Sequence, residues 1–145
     1  MAKEILINLG VDISTVIRIS DAIRVHRFKG QDIPQKLEEK ILFDADKLDI
    51  LGAVGLARSY MVAGEYNQSI YSNENINDYI QSNLKDGNSK GKIIDIRKHA
   101  PNLEYEIKIK KIPDRLFTNA AKKIAKDRIE YMTQFFERLK SEVML

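Results

Sequence analysis

The 145 residues are 43% hydrophobic and 31% charged, with seven glycines and three prolines, the balance of one folded domain and not of a disordered tail or a fibre. Without cysteine the chain has no disulfides and no thiolate metal ligands, which suits a reducing, cytoplasmic setting and leaves His, Asp and Glu to hold any metal. No apolar run approaches the ~20 residues of a membrane span and no signal-type leader opens the chain; 24 cations and 21 anions, net +3, are interleaved, which argues against nucleic acid as a partner.

From Asp12 to His26 the apolar positions Ile13, Val16, Ile17, Ile19 and Ile23 recur at steps of three and four, which predicts an amphipathic helix ending near His26. Gly30 stops it, and Pro34 suits the first turn of the next. Residues 34 to 63 read as one long helix or two abutting ones, apolar on nearly every face near the middle and therefore buried. Gly52 and Gly55 there allow a neighbouring backbone to come close.

Residues 65 to 91 are polar, with "SNENINDY" and "KDGNSKG", and read as a mobile loop holding one short helix around 76 to 84. With the residues up to about 100 they form a polar insertion in a single domain spanning 1 to 145. "LEYEIKIKKI", 103 to 112, alternates apolar and charged residues like a half-buried strand, although its apolar positions also tolerate a helix. Thr118 suits the N-cap of the last helix, which keeps Ala121, Ile124, Ala125, Met132, Phe135, Phe136 and Leu139 on one face. Arg128 falls on that face, where an unpaired guanidinium is costly, so a buried acid partner is expected for it.

In "ILFDADKLDILGAVGLA", 41 to 57, three aspartates open a segment built for burial. Leu42, Asp46, Asp49, Ala53 and Leu56 follow one helical stripe, so two carboxylates share a face with apolar residues and each needs a partner. Two answers stand. One is a divalent metal. In the other, Asp44 opens a helix turn while Asp46 and Asp49 form ion pairs with Lys47, Arg58 or Arg128.

His26 and Arg27 set an imidazole and a guanidinium at one helix terminus, a pair suited to phosphate, with a core or C-capping histidine as the plainer reading. His99, in "KHAPN", falls in a loop and has no such setting. No phosphate-binding glycine loop, G-x-S-x-G elbow or H-E-x-x-H helix is present.

"AIRVHRFKG", 22 to 30, and "EEKILFDADKLDILGAVGLARSY", 38 to 60, resemble the second half of the HD-domain metal-dependent phosphohydrolases; "TNAAKKIAKDRIEYMTQFFERLKSE" resembles the closing helices of one bacterial and archaeal branch. The resemblance implies an all-α helical bundle, and it makes 103 to 112 helical. It implies hydrolysis of a phosphate ester or nucleotide at a divalent metal (Mn, Mg, Ni, Fe or Zn) held by a histidine, an adjacent His-Asp pair and a distal aspartate. Asp46 matches that distal aspartate. His26 and Arg27 match the family's "HRF" beside the phosphate or a second metal, and Asp49 and Asp44 support the site or its neighbours.

This sequence has no His-Asp dipeptide and no histidine before His26. "MAKEILINLGV" resembles the helix that follows those ligands, so the bundle is expected to lack its N-terminal helices. A homo-oligomer or a separate segment would complete it. The alternative is a catalytically inactive interaction or regulatory module derived from the same fold.

Overall fold

Asp12 starts the helix that the spacing predicts. Its carboxylate accepts from the Thr15 N–H at 3.0 Å and the Ser14 hydroxyl at 2.6 Å, satisfying the open end of α2, Ile13–Val25. In the computed structural model, which describes residues 2–26 and 32–144, α2 is preceded by α1, Ala2–Asn8, and followed by α3, Leu37–Leu48, and α4, Gly52–Glu65. Then come α5, Ile76–Asn83, α6, Pro101–Ile107, and α7, Asn119–Val143. The fold is all-α, with short 3-10 turns between α5 and α7 and one isolated bridge, Leu84 to Ile93. Among the described residues no helix is long and apolar enough to cross a membrane.

The helix expected from Pro34 begins three residues later. Glu39 explains the start: its buried carboxylate turns back to accept from the Gln35 and Lys36 N–H groups at 2.8 and 3.1 Å, so the helix opens just past them. Of the one-helix and two-helix readings of 34 to 63, the two-helix reading holds. The break is fixed by Gly52, at φ +75°, and by Gly55, where a Cβ would lie 2.1 Å from the Ile50 carbonyl oxygen. The close approach at Gly55 is thus with the chain just before it. At Gly52 the neighbour is a side chain: the stem of Arg128 lies 3.1 Å from where a Cβ would be.

Two apolar clusters hold the chain together. The larger gathers Leu51 at the start of α4, Leu56 within it, Tyr105 and Ile109, and Ala125, Met132 and Phe136 of α7; the smaller gathers Tyr79, Leu84, Ala100, Leu103 and Ile107. The strand-like alternation of 103 to 109 follows from this arrangement. On a helix, Leu103 and Ile107 share one face and Tyr105 and Ile109 the opposite one, so a helix wedged between two cores buries every second residue. The stretch expected as a mobile polar loop carries α5 where the short helix was expected, and packs onto the smaller cluster.

Arg128 corrects another expectation. Its guanidinium meets the Leu48 carbonyl at 2.6 Å instead of an acid. The last carbonyls of α3 carry the negative end of the helix dipole, and they take the charge that a carboxylate was expected to take.

α1 buries none of its residues, and Ile5, Leu9, Ile13, Ile17 and Ile23 of α1, α2 and the turn between them remain exposed, Leu9 at 73%.

Candidate functional site

Asp44 is the buried member of the aspartate trio, at 2% exposure, and it does not open a helix turn as expected. It lies inside α3 and accepts from the Phe117 N–H at 2.9 Å, the Thr118 N–H at 2.8 Å and the Thr118 hydroxyl at 2.7 Å. Thr118 in turn accepts from the Ala121 N–H, so the carboxylate anchors the N-cap of α7 through a relay. Phe43 and Phe117 meet edge to face beside it, with ring centroids 5.1 Å apart.

Asp46 and Asp49 are not buried. Because α3 ends at Leu48, the stripe drawn through residue 56 never forms, and the two side chains stand 48% and 62% exposed. Their partners are two of the three cations named for them: Asp46 pairs with Lys47 and Asp49 with Arg58. The Lys47 side chain is itself buried, its ammonium 5.2 Å from the centre of the Phe43 ring. His26 caps α2, its ring nitrogen donating to the Ile23 carbonyl, which is the plainer of its two readings; Arg27 lies outside the described residues.

His99, set aside in the sequence, is buried at the floor of a cleft. The Asn83 amide donates to the Tyr79 hydroxyl oxygen at 3.2 Å, that hydroxyl meets His99 Nδ1 at 2.6 Å, and His99 Nε2 meets a Glu104 oxygen at 3.1 Å. With Asn83 donating to Tyr79, the chain is satisfied throughout when Tyr79 donates to Nδ1 and Nε2–H donates to Glu104. Burial by itself raises the Glu104 carboxyl, but the His99 hydrogen bond and the Lys108 ammonium at 3.0 Å together outweigh it and hold the group below its ordinary value. Burial pushes the Tyr79 phenol up, against the Asn83 hydrogen bond, so it keeps its proton.

The cleft above this floor has a volume of about 320 Å³, with walls from α4 on one side and from 93–96, Pro101 and Ile109 on the other. No periodicity signals the cluster, because its members come from α5, a loop and α6. The one local sign is Pro101 at the start of α6, which places His99 and Glu104 either side of a helix N-terminus.

No family model matches the chain. A curated relative, the uncharacterized protein YpgQ of Bacillus subtilis (strain 168), is 26% identical over 110 residues, which are 76% of this chain and 42% of the relative. The crystal structure of YpgQ shares the fold, with a TM-score of 0.71 over 98% of this chain and 62% of that one at 24% identity, and YpgQ has also been crystallised in complex with ADP. An HD-superfamily hydrolase from Bacillus thuringiensis matches at 26% identity and a TM-score of 0.65, over 96% of this chain and 58% of its own.

The chain belongs to the HD superfamily by its helical fold. It spans less than half the length of the curated relative and about three fifths of these solved chains. Superfamily members are generally metal-dependent. Among the described residues, however, no three His, Asp or Glu side chains gather to hold an ion, and the Asp46 carboxylate is engaged by an ammonium. The described residues do not by themselves fit a metal.

Proposed function

We propose that this chain carries the distal-aspartate part of an HD-type phosphohydrolase acting on phosphate esters, and that a second copy of the chain completes the site. The observation that carries this reading is the state of Asp46: in a fold of this superfamily, at the position that the resemblance gives to the distal ligand, the carboxylate stands half-exposed while its neighbour Asp44 is consumed in structure. Asp46 is about half exposed, so its carboxylate can be reached by a further partner on the side away from the buried Lys47. The ammonium of Lys47 stays beside it as a positive group for a phosphate. The ADP complex of YpgQ supports a phosphate-bearing ligand.

The test is divalent-metal calorimetry, with Mn²⁺ and Ni²⁺, on this chain and on Asp46→Ala. Saturable binding at the native chain, lost in the variant, is the expected result. Equal binding by both proteins, or by neither, overturns the role given to Asp46.

A second reading is favoured by the exposed aliphatic face of α1 and α2: an interaction module built on the same fold, without activity of its own. Under that reading neither protein binds metal, and the face alone is functional.

A further inference from the structure

The cleft between α4 and the His99–Glu104 floor has no part in the reading above and stands independently of it. Its volume of about 320 Å³ lies within the range of small-molecule sites. Its walls are aliphatic, from Ile50, Val62, Ile93, Ile96 and Ile109, and the polar groups converge at two places. The first is the floor, where buried His99 bonds to Glu104. The second is the mouth, where Arg58 projects from α4.

Charge decides what fits. Glu104 is matched by Lys108, whose ammonium lies 3.0 and 3.2 Å from its two oxygens, and by His99. It therefore offers no unpaired negative charge to the cleft. Arg58 is the one Lys or Arg among the described lining residues, and its pair with Asp49 is exposed on both sides, 55% and 62%, and so is held weakly. Its remaining guanidinium N–H groups are free to take an anion at the mouth. Ser59 and Gln68 are already used, the first by the Gly55 carbonyl and the second by the Ile96 carbonyl, so neither competes for a charged head.

We propose that this cleft binds a small anionic amphiphile, an apolar body lying along the aliphatic walls with its carboxylate on Arg58. The apolar body is taken up by area removed from water, and the head is selected by charge. Asp49 is the group displaced. Because Asp49 caps the end of α3 just past Asp46, a ligand in the cleft would be felt at the aspartate cluster.

The probes are octanoate, octylammonium and octanol, which share one body and differ in charge, titrated below micelle formation while the backbone amide spectrum of the full chain is followed. Octanoate is expected to shift Ser59, Val62 and Ile96 and to saturate, with octanol weaker and octylammonium weakest. Arg58→Gln, an exposed change that leaves the core alone, should weaken octanoate about tenfold and leave octanol unchanged. Val62→Trp, at a half-exposed wall position, should block all three.

Equal binding of the three probes, a preference for the amine, or indifference of octanoate to Arg58→Gln overturns the anionic assignment. Shifts confined to α1 and α2 place binding on the exposed aliphatic face and overturn the site. So does the absence of saturable shifts with any probe.

Discussion

Asp44→Ala is expected to lower stability by about 3 kcal/mol, because it leaves two N–H groups and a hydroxyl at the start of α7 without their acceptor in a buried setting. At this size such a loss moves the thermal midpoint by roughly 10 °C. Asp44→Asn keeps an oxygen that can serve one donor but turns an NH₂ toward the others, so a loss of about 1–2 kcal/mol is expected. Urea unfolding of the two variants beside the parent chain measures both. Thr118→Val separates the relay from the direct bonds: it removes the hydroxyl while both N–H groups keep Asp44, and its cost should be about that of a lost N-cap, ~1 kcal/mol. An Asp44→Ala chain as stable as the parent would show that water replaces the carboxylate.

The second large effect concerns association. The groove between α2 and α3 is lined by Ile19, Ala22, Ile23 and Leu42, with Thr15 and the Arg18–Glu38 pair beside them, and α1 and the start of α2 expose further aliphatic side chains. Contiguous exposed apolar side chains mark a contact surface. The chain alone should sediment as a dimer or larger species at micromolar concentration. Ile23→Glu with Leu42→Glu should weaken that association at least about tenfold by placing charges in the contact. Both side chains are about two-fifths exposed in the free chain, so the double variant should stay folded, with a stability change of about 1 kcal/mol or less. A parent chain that is monomeric throughout would remove the face as an interface between copies.

Local pattern carried α2 and α7 almost to the residue, since each has a polar cap, Asp12 or Thr118, followed by uninterrupted period-3.6 spacing. It failed where tertiary packing set the answer. The spacing puts Asp46 and Asp49 on one buried stripe only if the helix is continuous, whereas Gly52 and Gly55 break it after Leu48. Asp44 looked like a turn-opening residue because nothing local shows that its acceptors serve residues 73 and 74 positions away. Arg128 shows the same limit: a carbonyl at a helix end answers a guanidinium as a carboxylate does, and sequence displays only carboxylates. The His99 cluster was illegible for the related reason that Tyr79, Asn83, His99 and Glu104 meet only in three dimensions.

The position of α6 between two apolar clusters bears on how the chain opens. One face of this short helix belongs to the cluster containing Met132 and Phe136, the other to the cluster built with Tyr79 and Leu84. The smaller cluster draws on a single stretch, 76 to 107, and its α5 side can come away from α6 while the larger cluster remains packed, making α5 a distinct unit of cooperative opening. In native-state hydrogen exchange the amides of α5 should therefore trade protons well before those in the middle of α7, with a free energy below that of global unfolding. The Tyr79–His99 bond straddles the line of separation, so each such opening also takes a support from the floor of the cleft.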